Sequence, residues 1–288
     1  MGTFPGVTVE RTIELGGATV PTFFYGTAWK EDDTRRCVEA AIAAGFRAID
    51  TANQRKHYFE AGVGEAIGAA IGRGDVTRDD LFLQTKFTFR PGQDDRLPYD
   101  PNASITEQVE QSFASSLEHL GVETIDSLVL HGPTTRRGLG SPDWEAWTAM
   151  EALHAEGKTR LIGISNVTAA QLDELCGLAK RRPAFVQNRC YASQGWDAAT
   201  REVCARHGVA YQGFSLLTAN GRELRRPEVH AIAQEHGRTL EQVVFRFALQ
   251  LGMIPLTGTT DPAHMAQDLE AYDFALSDAE VDTLRRAG

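Results

Sequence analysis

The sequence has few cysteines and no long apolar segment. Its four cysteines, Cys37, Cys176, Cys190 and Cys204, are widely spaced and include no Cys-x-x-Cys pair. This spacing predicts neither a zinc site nor a disulfide framework, so we expect reduced thiols and no bound metal. No apolar stretch approaches the roughly 20 residues of a membrane helix, and no basic and apolar export segment opens the sequence. We therefore expect a cytoplasmic protein without a membrane partner.

The sequence also has fewer basic residues than acidic ones. The 288 residues carry a net charge of −10, with 39 acidic residues against 29 lysines and arginines. Nucleic acids and anionic membrane surfaces bind basic protein surfaces, so this balance argues against both as the main partner and favours a small-molecule ligand. No linker rich in Gly, Pro or Ser divides the chain, which predicts a single domain over residues 1–288.

Short apolar runs alternate with amphipathic segments along the chain. A hairpin is predicted first, with strands over Val7–Leu15 and Ala18–Val20 and a turn at Gly16-Gly17. Eight pairs of a strand and a helix follow, which predicts an α/β fold: a closed (β/α)8 TIM barrel with an N-terminal β-hairpin. An open doubly wound sheet is the alternative. The predicted strands are Thr22–Thr27, Phe46–Asp50, Leu81–Lys86, Ser127–His131, Leu161–Ser165, Ala184–Gln187, Val209–Ser215 and Met253–Thr257, and clear helices are Thr34–Ala44, Ile105–Leu120 and Thr239–Leu251.

Four polar residues stand at or just beyond the ends of predicted strands. Asp50 ends the second barrel strand and Tyr58 lies slightly beyond it, while Lys86 ends the third strand and His131 the fourth. If these strands are parallel, all four side chains converge on one rim of the barrel, which is where such folds build their catalytic sites.

These residue types make a coherent general-acid site. A tyrosine has an ordinary pKa near 10, and a neighbouring cation such as Lys86 favours its ionised form. Asp50 would keep a buried Lys86 charged, and His131 would donate a hydrogen bond to a carbonyl oxygen. Tyr58 is then the predicted proton donor. Taken singly, each residue has a structural interpretation, such as a turn cap for Asp50 or a core histidine for His131.

Two long connections follow the third and fourth strands. Phe87–Ala103 and Gly132–Pro142 exceed the usual two to six residues of such connections, and both emerge on the rim of the four polar residues. Their aromatic and arginine side chains are candidate walls of a substrate pocket, and solvated loop decoration is the alternative. These side chains are Phe87, Phe89, Arg90, Tyr99, Arg136 and Arg137.

The chain resembles the aldo-keto reductase superfamily over nearly its whole length. The resemblance implies a (β/α)8 barrel that binds NADPH or NADH in extended form at its C-terminal rim and passes hydride to an aldehyde or ketone. It also explains why a Gly-x-Gly-x-x-Gly turn is absent, since this barrel does not use the Rossmann phosphate site. The matching segments are Gly26-Thr27-Ala28-Trp29, Gly45-Phe46-Arg47-Ala48-Ile49-Asp50-Thr51-Ala52, Glu60, Val63-Gly64-Glu65-Ala66-Ile67, Thr85-Lys86, Leu130-His131, Gly163-Ile164-Ser165-Asn166, Gln187 and Phe214-Ser215-Leu216-Leu217.

The resemblance further implies roles for individual residues. Ser165, Asn166 and Gln187 would hold the nicotinamide carboxamide, and Phe214 would stack on the ring. The expected catalytic residues are Asp50, Tyr58, Lys86 and His131, and the expected substrate contacts are Trp29, His57, Phe87 and His131. The expected cofactor contacts are Thr27, Ala28, Asp50, Ser165, Asn166, Gln187, Phe214, Ser215, Leu217, Thr257, Gly258, Thr259, His264, Gln267 and Asp268.

The loop between Asp50 and the tyrosine departs from the family pattern. The interval to Tyr58 is longer than usual, and measured back from Val63-Gly64 the tyrosine position falls on His57. We expect Tyr58 to be the acid, because a tyrosine under the influence of Lys86 suits that role, while His57 would contact substrate.

Cofactor choice is a second departure. Many family members place a lysine and an arginine where this chain has Leu256 and His264. We expect NADPH, with NADH as the alternative, because no carboxylate is obviously placed to bind a free 2′-hydroxyl. The sequence ends soon after the helix that opens at Leu276, so we expect a short form that lacks the family's C-terminal substrate loop.

The favoured function is therefore NAD(P)H-dependent reduction of a small aldehyde or ketone by a monomer or weak homo-oligomer. One alternative is a nucleotide-binding regulatory or redox-sensing barrel with negligible turnover. Another is a lyase that uses Lys86 as a Schiff-base nucleophile, against which the nicotinamide-site residues speak.

Overall fold

The computed structural model describes residues 9–288. Its first two strands, β1 (Thr12–Leu15) and β2 (Ala18–Pro21), form an antiparallel hairpin. Gly16 and Gly17 make the turn with φ angles of 57° and 82°, in the left-handed region that favours glycine. The predicted hairpin is confirmed, although its first strand begins only at Thr12; Val7 and Thr8 lie outside the described residues.

Eight further strands within residues 9–288 close into a parallel barrel. The strands neighbour one another in chain order, and the last strand pairs with the first, so the sheet has no free edge. This closure confirms the predicted (β/α)8 barrel and excludes the open doubly wound sheet. The barrel strands are β3 (Phe24–Gly26), β4 (Ala48–Asp50), β5 (Phe82–Phe87), β6 (Ile125–Leu130), β7 (Thr159–Ser165), β8 (Phe185–Arg189), β9 (Ala210–Phe214) and β10 (Met253–Thr257).

Helices form the outer layer of the barrel. In residues 9–288 they are α1 (Thr34–Ala44), α2 (Glu60–Arg73), α3 (Ile105–Leu120), α4 (Ser141–Ala155), α5 (Ala169–Leu178), α6 (Ala198–His207), α7 (Pro227–His236), α8 (Leu240–Gln250), α9 (Pro262–Leu269) and α10 (Asp278–Arg285). Helices α7 and α10 are additions to the eightfold alternation, and α10 packs against α7 and α8. No helix among the described residues is both long enough and apolar enough to cross a bilayer.

Local sequence signals account for the helix ends. The bounds of α1 and α3 are those predicted, and α8 begins one residue after its predicted start because Thr239 is its N-cap. Ser104 caps α3 by accepting a hydrogen bond from the Glu107 N–H, while the Glu107 carboxylate accepts from the Ser104 N–H. Gly121 ends α3 in the left-handed conformation.

The barrel interior is apolar at its N-terminal end. Phe24, Phe82 and Phe185, each the first residue of its strand, meet there with ring centroids 5.6, 6.4 and 6.1 Å apart. Ala18 and Val20 of the hairpin belong to the same buried cluster and cover this end. Polar interior side chains therefore lie further along the strands, toward the C-terminal rim.

Candidate active site

A buried ion pair lies at the C-terminal ends of β4 and β5. Asp50 pairs with Gln84 across these strands, so Lys86, two residues further on the same face, projects into the barrel above Asp50. The Lys86 Nζ donates to both carboxylate oxygens of Asp50 at 2.7 Å and to the Thr51 carbonyl oxygen at 2.8 Å. Both side chains are buried. The sequence prediction that Asp50 partners Lys86 is therefore met by the geometry.

An amide network surrounds this pair inside the barrel. The Gln84 and Gln187 side chains each donate from Nε2 to Asp50 Oδ1, at 2.8 and 2.9 Å. Both also donate to Gln212 Oε1, and Ser127 donates to Gln84 Oε1 at 3.0 Å. Because every member has partners, Asp50 is held in one orientation beneath the rim.

Tyr58 and His131 lie directly above the ion pair. The Tyr58 ring centroid is 5.2 Å from Lys86 Nζ and 6.0 Å from the His131 ring. The Tyr58 N–H donates to the Gln54 carbonyl oxygen, so a local turn positions the ring. His131 follows β6, and its N–H donates to the Phe87 carbonyl oxygen. The structure thus brings all four predicted polar residues together.

Burial dominates the electrostatics of these groups. Burial, and after it the Asp50 carboxylate, raises the pKa of the Tyr58 phenol well above its usual value. Burial lowers the pKa of Lys86, although Asp50 acts in the opposite direction. Burial, Lys86 and His57 lower the pKa of His131 to about 3. At neutral pH Tyr58 is therefore protonated and His131 uncharged; burial and the Asp50 carboxylate act against the lowering of the Tyr58 pKa that was expected from Lys86.

His57 occupies a different place from its neighbour. Its Nδ1 lies 2.9 Å from Gln54 Oε1, and its ring stacks at 3.9 Å on Trp29, which is 69% exposed. His57 therefore faces outward against Trp29, whereas Tyr58 faces Lys86 and His131. Of the two residues that compete for the tyrosine position, only Tyr58 lies over the buried pair.

A cavity of about 780 Å³ opens at this rim. It runs from Asp50, Tyr58 and His131 in the barrel mouth to residues of α8 and α9 in the outer helix layer, so it is elongated. Its volume is within the range of cofactor and small-ligand sites. Of the predicted site residues it is lined by Ala28, Trp29, Asp50, His57, Tyr58, His131, Ser165, Asn166, Gln187, Phe214, Ser215, Leu217, Thr257, Gly258, Thr259, His264, Gln267 and Asp268.

Three predicted residues do not line this cavity. Lys86 lies beneath it with its Nζ shared among three oxygens, which leaves no open approach for a Schiff-base nucleophile. Thr27 is buried and donates to the Asp50 carbonyl oxygen. Phe87, an expected substrate contact, points away from the barrel interior, opposite to Lys86, and packs on Phe89 and Tyr99 in the core, so it lies outside the walls of this cavity.

The long connections contribute little to the walls of the site. A second cavity of about 300 Å³ adjoins the first and shares Trp29, His57 and Tyr58 with it. Of the long connections, 87–103 contributes only Arg96 to this second cavity, and no residue of 132–142 lines either cavity. The remaining residues of the second cavity come from the loops after β3 and β4 and are Glu31, Asp32, Arg55 and Lys56.

The backbone of the rim is conformationally strained. Trp29, Asn166 and Ser215 have φ angles of 61°, 55° and 57°, in the left-handed region that non-glycine residues rarely adopt. All three line the larger cavity. Such conformations persist where surrounding contacts hold them and cluster at functional sites. Asn166, for example, is anchored because its Nδ2 donates to the His131 carbonyl oxygen at 2.8 Å.

Sequence reasoning missed several charged residues of the cavity. Lys30 is partly buried, lines the cavity, and its Nζ donates to the Gly258 carbonyl oxygen. Arg189 places its guanidinium 5.6 Å from the Phe214 ring centroid. Glu241 lies at the other end, in the first turn of α8. Lys30 directly follows the Gly26-to-Trp29 segment, and that adjacency is a signal that could have found it.

The outer end of the cavity carries carboxylates. Asp268 of α9 is buried and accepts a hydrogen bond from Thr257 Oγ1 at 2.7 Å. Burial raises the pKa of Asp268 to about 7, while the hydrogen bond from Thr257 and the nearby His264 act in the opposite direction. Glu241 lines the same end. Asp268, one of the expected cofactor contacts, and Glu241 are therefore two carboxylates that a cofactor bound at this end would meet. Among residues 9–288 no group of three or more His, Cys, Asp or Glu side chains is arranged to hold a metal ion.

Fold and site together define a (β/α)8 barrel with a protonated tyrosine over a buried lysine–aspartate pair, at one end of an elongated cavity. The profile of the aldo/keto reductase family matches residues 12–288. The chain belongs to that family, whose members are oxidoreductases.

Known relatives agree with this assignment. An aldo-keto reductase of Mycobacterium tuberculosis (strain ATCC 25618 / H37Rv) is 32% identical over 267 residues, covering 92% of this chain and 86% of the relative. The structure of an aldo/keto reductase from Brucella melitensis superposes with a TM-score of 0.80 at 26% identity, over 96% of this chain and 99% of the other. The Bombyx mori aldo-keto reductase AKR2E4, solved in complex with NADP, superposes with a TM-score of 0.79 at 26% identity, over 96% and 92%.

Proposed function

We propose that this protein is an NAD(P)H-dependent carbonyl reductase that converts an aldehyde or ketone to an alcohol. The observation that carries the proposal is the placement of Tyr58 and His131 over the buried Lys86–Asp50 pair, at the inner end of a cavity large enough for a cofactor. A protonated phenol and an uncharged imidazole side by side suit protonation of a carbonyl oxygen.

The cavity residues fit a nicotinamide at this inner end. Gln187 donates its Nε2 protons to Asp50 and Gln212, which leaves its Oε1 as an acceptor. Asn166 donates from Nδ2 to His131 and Ser165, which leaves its Oδ1 as an acceptor. Both oxygens suit the NH2 group of a carboxamide, and Phe214 offers an aromatic face beside them. Ser215, Leu217 and Lys30 would line the phosphates.

The protein side of the reaction follows from this arrangement. A bound reduced nicotinamide supplies a hydride to the carbonyl carbon. His131 orients the carbonyl by a hydrogen bond to its oxygen, and Tyr58 transfers its phenolic proton to that oxygen as charge develops there. Lys86 stabilises the phenolate that remains, and Asp50 holds Lys86 in place. Solvent then returns a proton to Tyr58.

NADPH is the proposed cofactor, and NADH is the alternative. The proposal is supported by the Bombyx mori relative that was solved with NADP. The Thr259 hydroxyl and His264 line the cavity near the adenosine end and could donate to a phosphate, whereas the Thr257 hydroxyl already donates to Asp268. NADH is favoured by Asp268 and Glu241, because carboxylates there would repel a 2′-phosphate.

The test measures binding before turnover. NADPH and NADH are titrated against tryptophan fluorescence, since the exposed Trp29 lines the cavity. Oxidation of the reduced cofactor is then followed against a mixed panel of aldehydes and ketones. Tyr58→Phe should lower kcat by about 10²–10⁴-fold without changing cofactor affinity, because it removes only the transferred proton. His57→Ala is the matched control and should retain kcat.

Three results would count against the proposal in this form. Full turnover in Tyr58→Phe would remove Tyr58 from the mechanism. Loss of turnover confined to His57→Ala would assign the proton transfer to His57. Cofactor binding without reduction of any carbonyl in the panel would favour the regulatory or redox-sensing barrel.

We further propose a single domain that works in the cytoplasm as a monomer or weak homo-oligomer. The four cysteine side chains are buried and unpaired, which suits a reducing compartment. Light scattering after size-exclusion chromatography over a range of protein concentrations tests the oligomeric state.

A further inference from the structure

Thr88 contacts the ring of His131 from outside the cavity. It directly follows β5, and because side chains alternate along the chain it faces the same side as Lys86 while Phe87 faces the opposite side. The Thr88 Oγ1 lies 2.7 Å from His131 Nδ1. Thr88 is buried and does not line either cavity. Since Nδ1 faces Thr88, the other ring nitrogen, Nε2, faces the cavity.

The position of Thr88 is fixed by its surroundings. Its carbonyl oxygen accepts hydrogen bonds from the Tyr99 hydroxyl at 2.8 Å and from Gln93 Nε2 at 3.4 Å. Its methyl group packs so closely on Gly92 that a Cβ there would lie 2.7 Å from Thr88 Cγ2. The backbone N–H of His131 donates to the Phe87 carbonyl oxygen. The hydroxyl and the imidazole are therefore held opposite each other.

Counting protons decides the direction of this hydrogen bond. Within the described part of the chain, the Thr88 hydroxyl has no acceptor in reach other than His131 Nδ1. If Nδ1 carried a proton and donated it, the buried hydroxyl proton would have no partner. The hydroxyl must therefore donate to Nδ1. Because His131 is uncharged at neutral pH, its single ring proton is then on Nε2.

We propose that Thr88 is a positioning residue that fixes His131 as the Nε2-protonated tautomer, so that Nε2–H donates to the carbonyl oxygen of the substrate. Without the hydroxyl, Nδ1 would compete for the proton, and a ring protonated at Nδ1 presents only a lone pair to that oxygen. The proposal rests on the carbonyl reduction proposed above, but the tautomer itself can be measured without turnover.

The experiment compares Thr88→Val, which keeps the shape but removes the hydroxyl, with Thr88→Ser, which keeps the hydroxyl. The ¹⁵N chemical shifts of the His131 ring, assigned by the signals that His131→Asn loses, report the tautomer at neutral pH. The wild type and Thr88→Ser should show a protonated Nε2, and Thr88→Val should show a substantial Nδ1-protonated fraction. Removing one preorganised donor at a developing oxyanion costs about 10²–10³-fold in kcat. Partial loss of that donor should therefore lower kcat in Thr88→Val about tenfold or more, with cofactor affinity unchanged and Thr88→Ser within about threefold of the wild type.

Several results would overturn the proposal. A protonated Nδ1 in the wild type would contradict it directly. The ¹⁵N shifts of wild-type His131 give this result even if Thr88→Val does not fold. An unchanged tautomer in Thr88→Val, or equal losses of kcat in both variants, would reduce Thr88 to a packing role. If the wild type reduces no carbonyl but the tautomer shifts in Thr88→Val, the reductase proposal fails while the role of Thr88 in setting the tautomer is upheld.

Discussion

Asp50→Asn should destabilise the fold more than an aspartate-to-asparagine substitution at the protein surface. Asp50 is the carboxylate that hydrogen-bonds to Lys86, and it also accepts from Gln84 and Gln187. In the variant, Lys86 keeps the Thr51 carbonyl oxygen and at most one amide oxygen, while the new NH2 group faces the Lys86 ammonium, from which it cannot accept a hydrogen bond. The buried ammonium therefore loses its countercharge, and two amides lose a charged acceptor.

The expected size of this effect follows from the burial of both groups. Removing one partner of a buried ion pair costs about 3–5 kcal/mol, a large share of the roughly 5–15 kcal/mol that stabilises a typical folded protein. At roughly 2–4 °C per kcal/mol for a large domain, Tm should fall by about 6–20 °C. The double variant Asp50→Asn/Lys86→Met removes both charges and should recover most of this loss, because the cost arises from one uncompensated charge.

Thermal and urea unfolding, followed by circular dichroism, measure the effect. Asp282→Asn is the matched control, since it removes a carboxylate from an exposed pair with Arg285 and should leave Tm nearly unchanged. If Asp50→Asn loses no more stability than this control, or if the double variant is as unstable as the single one, the ion pair does not hold this end of the barrel.

The stability of the wild type and of Asp50→Asn should also change with pH, and the direction follows from the pKa of Lys86. The folded pKa of Lys86 is lowered from 10.5, so between that folded value and 10.5 the unfolded chain binds more protons than the folded protein. Stability should therefore rise with pH in this window. The rise should begin at a lower pH in Asp50→Asn, because loss of the carboxylate lowers the pKa of Lys86 further. An identical pH dependence in wild type and variant would contradict this account.

Two further predictions concern packing and the cofactor. Gly64→Ala should destabilise the fold by about 1–3 kcal/mol or more, because the new Cβ would collide with the His119 carbonyl oxygen where α2 crosses α3. Gly68→Ala in the same helix has open space around the new Cβ and should be neutral or stabilising by up to about 1 kcal/mol. Equal effects of the two substitutions in unfolding titrations would refute this. NADPH affinity, measured by fluorescence titration, should fall about three- to tenfold from about pH 6 to about pH 8, because Asp268, with a pKa of about 7, ionises at the outer end of the cavity. Asp268→Asn should flatten this profile, and an unchanged profile would place the 2′-phosphate elsewhere.

The fold could be predicted largely because its local signals agree with one another. The capping box at Ser104 and the glycine after Leu120 mark the ends of α3, and the strands are apolar runs between polar segments. The bounds of the barrel strands differ from those predicted by up to two residues. Some apolar runs extend beyond the paired residues, as before β4, and in other strands the pairing extends beyond the apolar run. Strand β8, for example, extends to Arg189, which pairs with Phe214. Helix α7 was not anticipated, although Pro227 at its first position is a start signal.

From the residues alone, the candidate site could be predicted where it depended on strand ends, and the family resemblance added the residues of the outer loops and of α9. Asp50, Lys86 and His131 follow from parallel strands, and alternation from Lys86 to Phe87 could have excluded Phe87 from the substrate list. The amide network could not be predicted, because Gln84 and Gln212 lie 128 residues apart and meet only when the barrel closes. The outer carboxylate Asp268 was expected as a cofactor contact, but its burial depends on how α9 packs.

Desolvation separates the pH behaviour of the chemistry from that of cofactor binding. The pKa of Tyr58 is raised and that of His131 is lowered to about 3, so neither group titrates between about pH 5 and 8 before ligands bind. Asp268 titrates inside that range, at the other end of the cavity. The pH dependence should therefore enter through the KM for NADPH while kcat stays flat. A kcat that changes steeply in this range would mean that bound cofactor and substrate bring the pKa of Tyr58 back toward neutrality through Lys86.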